Sequence, residues 1–248
     1  MKKQIQKLFN LFGYQITRSN STPKAFIIQK ELINQNNPTI FDIGAHQGSV
    51  TNLYLKLFPF ADIHSFEPFP DSYNILKYNY KDINNIHCHN IAISNKKGKA
   101  PFYSNAKAVT NSLLEIDNAN SIYWGKETLK NKDSIFVETT TIDNICKDNN
   151  IKHIDILKID TQGTEFGIFQ GAKEILTQQN ISLIYTEIIT CPTYKGQHKL
   201  YEYLSFLSTF GYEVLEFLNQ FKGNNQLIQT DIIFLSKRFR KNYLLNYK

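Results

Sequence analysis

Residues 39–48, TIFDIGAHQG, constrain this 248-residue chain more than any other stretch, because an apolar run ends there in an acid and two glycines. Ile40, Phe41 and Ile43 have the pattern of a short buried strand, and Asp42 to Gly48 is where that strand must turn into a helix. Gly44 permits backbone angles that other residues avoid, and Gly48 lets a ligand or a neighbouring strand approach the helix start. Val50, Leu53, Tyr54, Leu57 and Phe58 supply the apolar face of that helix and Pro59 closes it; a second strand, residues 62–66, then leads to Glu67-Pro68. The whole reads as a βαβ unit.

Glu67 stands 25 residues after Asp42. An acid at the end of the second parallel strand, about 20 residues past a glycine turn, is placed to accept hydrogen bonds from both hydroxyls of a ribose. A dinucleotide fingerprint, G-x-G-x-x-G, would use the helix start to hold a pyrophosphate. Here Asp42 stands where the first glycine would be, and its carboxylate would repel one. It suits a ligand carrying an ammonium group and a sulfonium, which is S-adenosylmethionine. The bland alternative is a plain βαβ connection whose glycines serve packing alone, and Glu67-Pro68 argues against it.

Further along, a helix capped by Asp71 or Ser72 runs to about Tyr80, and residues 86–94, IHCHNIAIS, read as a third strand. His87 and His89 alternate on that strand and share a face, a spacing metal sites use, but with no third ligand nearby in sequence they read as packed or solvated. Residues 100–104 form a short edge strand; residues 105–133, which hold the only tryptophan, Trp124, lack a period and read as a mobile loop suited to acceptor recognition. Strands at 135–141, 154–160 and 181–187 alternate with helices at 142–147, 166–176 and 198–210, and strands at 212–218 and 231–236 close the chain. Such alternation implies an α/β fold with a doubly wound, mostly parallel sheet whose last strand is antiparallel. Asp42, Glu67, Asp160 and Glu187 all fall at strand carboxyl ends, where such sheets bind ligands. No linker divides the chain: residues 1–37 read as a helical extension, 38–236 as one domain and 237–248 as a basic tail.

The formal charge of +6 is unevenly spread. Residues 1–30 and 237–248 hold 11 of the 28 basic residues and no acid, so residues 31–236 carry a net −5. That balance argues against a long basic groove for nucleic acid, while the basic ends suit either solvent or peripheral contact with an anionic membrane. Ile5, Leu8, Phe9 and Phe12 lie at helical spacing, and no cleavage site follows, so the start reads as an amphipathic helix rather than a signal peptide. Cys88, Cys146 and Cys191 form no C-x-x-C pair, which points to reduced thiols and a cytoplasmic setting. None of this sets an oligomeric state.

The runs FDIGAHQG, FEP, IAIS with its Lys-Gly turn, TTTIDN and above all LKIDTQGTEFGIFQGA resemble the FkbM family of S-adenosylmethionine-dependent methyltransferases, over about residues 38–190. The resemblance implies a class I methyltransferase sheet, Rossmann-like, and O-methylation of sugars or natural products. It implies that Asp42, Gly44, Ala45, His46 and Gly48 hold the methionine part of the cofactor, that Glu67 with Pro68 holds the ribose, that Asn90–Ala92 contact the adenine and that Asp160 borders the methyl group and the acceptor. Gln162 stands where the family commonly has an acid, which weakens any metal role there.

A hydroxyl acceptor needs its proton removed, and Asp160 is the first candidate base, with Lys158, Glu165 and Glu187 in the same crevice. Lys158 has a structural reading at least as strong, and Glu165 can equally be a helix N-terminal acid. Asp160 with Glu187 could hold a divalent cation, but no metal site is favoured. The expected partner is a small-molecule or glycan acceptor. Two rivals stay open: a nucleic-acid 2′-O-methyltransferase, and a noncatalytic cofactor-fold protein that binds a partner through its basic ends.

Overall fold

The computed structural model describes residues 22–105, 110–117, 121–124, 131–223 and 225–246. The expected amphipathic opening helix lies outside them. Helix α1 (Lys24–Leu32) precedes strand β1 (Thr39–Ile43), helix α2 (Ser49–Leu57), strand β2 (Asp62–Phe66), helix α3 (Pro70–Tyr80) and strand β3 (Ile86–His89). Strands β4 (Ala92–Ile93) and β5 (Gly98–Asn105), helix α4 (Ser121–Trp124) and strand β6 (Asn131–Thr140) follow, then helix α5 (Ile142–Asp148) and strand β7 (Ile154–Ile159). Helices α6 (Glu165–Gln170) and α7 (Lys173–Thr177), strand β8 (Ile181–Ile189), helix α8 (Leu200–Thr209), strands β9 (Tyr212–Gly223) and β10 (Gln226–Ser236) and helix α9 (Lys237–Asn246) complete the fold.

Seven strands form one sheet in the order β3-β2-β1-β7-β8-β10-β9, parallel except for β10, which runs antiparallel to both β8 and β9. Strand order reverses between β1 and β7, so the crevice beyond their carboxyl ends is the natural ligand position. Side chains alternate across the sheet: Phe41, Leu157 and Ile184 pack on one face with Phe169 and Tyr203, and Ile40, Ile156 and Leu183 pack on the other with Tyr54 and Leu76. Both faces are covered, which is why β1, β7 and β8 read as continuous apolar runs.

Four local expectations need correction. Residues 86–94 are two strands: the chain turns at Asn90, whose side-chain amide donates to the carbonyls of Glu67 (2.9 Å) and Pro68 (3.1 Å), and β4 joins β6 and β5 in a separate three-stranded sheet. Asp71 and Ser72 lie inside α3, which starts at Pro70, a residue suited to the first helical position. The helix expected at 166–176 breaks at Gly171, because the chain there lies against β4: a Cβ on Gly171 would sit 2.2 Å from the carbonyl oxygen of Ser94. The basic stretch expected as a tail is helical over Lys237–Asn246, and it is tied to the fold through Arg240 to Glu213 (3.0 Å) and Arg238 to Asn180 (2.9 Å).

Gly171→Ala should lower the stability of the folded chain by about 1–3 kcal/mol through overpacking against fixed backbone, read as a lower urea midpoint with an unchanged slope. An unchanged midpoint would show that the contact between α6 and Ser94 gives way freely.

Candidate active site

The β1–α2 turn is built around a buried ion pair. Asp42 and Lys158 are neighbours in register on β1 and β7, and the Lys158 ammonium lies 2.9 Å from Asp42 Oδ1. It also donates to the carbonyl oxygens of Ile43 (3.2 Å) and Gly44 (3.0 Å). Asp42 Oδ2 accepts from the Thr51 hydroxyl at 2.8 Å, and Thr51 lies 2.9 Å from Ser65. Burial alone would lower the Lys158 pKa, but the carboxylates of Asp42, Asp160 and Glu187 outweigh it and hold the ammonium above its ordinary value. Asp42 is fully buried and does not line the crevice. The residue expected to meet a ligand's ammonium group thus lies behind the crevice wall, paired with the lysine of the neighbouring strand.

The two glycines of the turn do different things. Gly44, at φ +76°, passes so close to β7 that a Cβ would lie 1.9 Å from the carbonyl oxygen of Asp160. Gly48, at φ +92°, faces α3, where a Cβ would lie 2.5 Å from the Tyr80 ring, and its carbonyl accepts from the Tyr80 hydroxyl at 2.6 Å. Gly48 is thus a helix-packing glycine and not part of the crevice wall.

Gly44, Ala45, His46, Glu67, Pro68 and Ala92 do line the crevice, together with Lys158 and Asp160. Glu67 is nearly buried, with one oxygen accepting from the backbone N–H of His46 (2.9 Å) and the other from that of Phe69 (2.8 Å). Each oxygen keeps a lone pair for a further donor. Burial pushes the Glu67 carboxyl above its ordinary range, and those two N–H groups and Lys158 pull it back toward the charged form. His46 Nε2 is buried against the crevice with no hydrogen-bond partner among the described residues, which fits a ligand's polar group. An acid with a free lone pair on each oxygen, an unpartnered ring nitrogen and a glycine cradle fit a nucleoside with a polar tail. Asn90 does not reach the crevice; it holds the Glu67 loop in place.

At the far end, Gln162, held at φ +59°, places its side-chain N–H₂ 3.1 Å from Asp160 Oδ1 and 2.9 Å from Glu187 Oε2. Gln229 donates to the other oxygen of Glu187 at 3.0 Å. Burial, with Asp160, Asp231 and Glu165 near, pushes Glu187 well above the usual carboxylate range. Glu187 stands behind Gln162 rather than on the crevice wall. Glu165 is not in the site either: its Oε1 accepts from the N–H groups of Thr161 (2.9 Å) and Gly163 (3.1 Å), so it fixes the loop after β7.

The sequence reading did not find Phe102 and covered Asn111 and Leu113 only within the 105–133 segment read for acceptor recognition; all three close the crevice from the small sheet and the segment beside it. Nor did it find Tyr194, whose ring packs on Gly163 and whose hydroxyl lies 3.2 Å from Gln162 Oε1. Gly163, at φ +96°, was the available signal for that contact. Trp124, expected to serve acceptor recognition, donates to Thr193 Oγ1 at 2.8 Å and stacks on Phe221.

The strand order and the crevice at its reversal define an S-adenosylmethionine-dependent methyltransferase of Rossmann-like class I fold. Residues 42–214 match the model of the methyltransferase FkbM domain, and the chain belongs to that family. It is 30% identical over 213 residues to the 2-O-methyltransferase NoeI of Sinorhizobium fredii, covering 83% of this chain and 86% of that one. It is 27% identical over 161 residues to the methyltransferase sdnD of Sordaria araneosa, covering 56% of this chain and 62% of the fungal protein. A crystal structure of a SAM-dependent methyltransferase from Aquifex aeolicus superposes with a TM-score of 0.47 and 10% identity over 95% of this chain and 98% of that one, too loosely to add to the argument.

Lys158→Met should cost about 3–5 kcal/mol of stability, because it strands a buried carboxylate, and the double variant with Asp42→Asn should recover part of that loss in chemical denaturation. A Lys158→Met protein of unchanged stability would show that the ion pair is dispensable to the fold.

Proposed function

We propose that this chain transfers a methyl group to a hydroxyl oxygen of a sugar, glycan or related natural product. The observation that carries the reading is Asp160: it lines the crevice at the carboxyl end of β7, next to the glycine turn, and the Gln162 amide ties it to Glu187. Support for a hydroxyl comes from the relative in Sinorhizobium fredii, itself a 2-O-methyltransferase.

S-Adenosylmethionine supplies an electrophilic methyl group when bound. Glu67 would hold its ribose hydroxyls, His46 and the Gly44–Ala45 backbone its amino-acid end, and Ile91–Ile93 with Phe102 its adenine. The chain's own tasks are to align the acceptor, exclude water and take its proton. Asp160 is the group placed to take that proton. Gln162 holds its carboxylate by one oxygen and shares the same amide with Glu187, which burial and its acidic neighbours push above the usual carboxylate range. Lys158, paired with Asp42 and bonded to two backbone carbonyls, positions the turn and does not take part in proton transfer.

The test is an acceptor screen with labelled cofactor, comparing neutral glycans and hydroxylated natural products with RNA. Label in a glycan or natural product that is stable to mild base supports the reading, and label in RNA alone overturns it in favour of the nucleic-acid enzyme. Glu67→Gln should weaken binding of S-adenosylhomocysteine by about 10–100-fold, the value of a charge-assisted hydrogen bond, as measured by calorimetry. Asp160→Asn should lower kcat by about 10²–10⁴-fold, the usual contribution of a general base; retained turnover would remove it from that role.

A further inference from the structure

The sequence places His87 and His89 on one face of β3 without a third ligand, and the fold supplies it from the next strand. Strands β2 and β3 are parallel and in register, His64 opposite His87 and Phe66 opposite His89, so Asp62 and His64 of β2 share that face. His87 Nε2 lies 2.8 Å from Asp62 Oδ1, and His64 Nε2 lies 3.5 Å from Asp62 Oδ2. One ligand atom from each of Asp62, His64 and His87 falls within 4.8 Å of the other two. We propose that Asp62, His64 and His87 form a binding site for a divalent transition-metal ion, Zn²⁺ or its relatives, distinct from the methyl-transfer crevice.

The donor set and its spacing suit such an ion. Two imidazoles and a carboxylate are the ligands that borderline metals take, whereas Mg²⁺ and Ca²⁺ prefer oxygen alone. Tetrahedral coordination at 2.0–2.1 Å puts neighbouring ligand atoms about 3.3 Å apart, inside the 4.8 Å that holds one ligand atom of each residue, and the 2.8 Å hydrogen bond between His87 Nε2 and Asp62 Oδ1 is the contact that an ion would replace.

The surroundings also orient the ligands. A metal-bound histidine commonly uses its second ring nitrogen in a hydrogen bond that fixes its tautomer. His64 Nδ1 lies 3.2 Å from His89 Nε2, and donation along that line leaves the His64 Nε2 lone pair aimed at Asp62. In that arrangement two acceptors face each other at 3.5 Å, which a cation between them relieves. His89 is itself held by stacking on Phe66, ring centroids 4.6 Å apart. His64 is buried while His87 and Asp62 are each almost half exposed, which gives an ion a route in from solvent.

The site lies at the amino-terminal half of β2, and Asp62, His64 and His87 are absent from the crevice wall. Bound metal would pin β3 to β2 rather than serve the chemistry. The decisive experiment titrates Co²⁺, then Zn²⁺, into the untagged, chelator-treated full-length chain. Expected are one Co²⁺ bound per chain with visible d–d absorption, displacement by Zn²⁺, and a higher melting temperature with Zn²⁺. His87→Ala and Asp62→Asn, both exposed enough to fold, should each weaken the ion by at least the about 10–100-fold typical of losing even an outer-shell partner. Absence of a saturable Co²⁺ spectrum in the native chain, or a spectrum and affinity that neither substitution changes, would overturn the site. Activity plays no part in the readout, so the outcome is independent of the methyltransferase reading.

Discussion

The pair between Asp42 and Lys158 is the interaction on which the site's shape depends. Both charges are buried, and they join β1 to β7 at the one place where the sheet reverses its strand order. A buried pair need not stabilise a fold relative to apolar residues. What this one adds is geometry: the same ammonium that neutralises Asp42 holds the carbonyls of Ile43 and Gly44, so the glycine turn is anchored from the neighbouring strand. With the turn fixed, the N–H of His46 points at Glu67, and Glu67 is fixed in its turn.

The crevice therefore has a graded electrostatic character. Near the turn, one carboxylate is neutralised by lysine and another is steadied by two backbone donors. At the opposite end, acids crowd together, with the amides of Gln162 and Gln229 bonded to Glu187, which is pushed above its usual range. Charges are thus settled near the turn and crowded at the other end, where carboxylates with shifted titration gather.

Much of this was legible in the residues. Strand β2 falls at residues 62–66 as its apolar run implies, and Glu67 sits where the glycine spacing puts it. The destinations of Asp42 and Lys158 were not legible, because pairing across β1 and β7 joins residues 116 positions apart and no local period reports it. Gly48 looked like a ligand glycine for the same reason: φ above zero and close approach are visible in sequence, but the approaching partner, Tyr80, is not. Residues 86–94 misled because an apolar strand pattern does not reveal that Asn90 will spend its amide on the Glu67 loop and turn the chain into another sheet. Asp62 and His64, which join His87, were hidden likewise, since strand register, not spacing, brings β2 beside β3.

That second sheet is a small body with little to hold it. Its own buried cluster is Ala92, Phe102 and Val137, while the larger cluster under the main sheet runs from Phe41 to Phe234. Opening free energy follows the apolar contact that a region must break, so β5 and β6 should exchange their amide hydrogens through local opening long before the main sheet does. Phe102 belongs to that small body and also walls the crevice, so whatever fills the crevice adds contacts to the weakest part of the fold. Occupancy would then be felt most in the slow breathing of β5 and β6, at a distance from the buried ion pair that shapes the site.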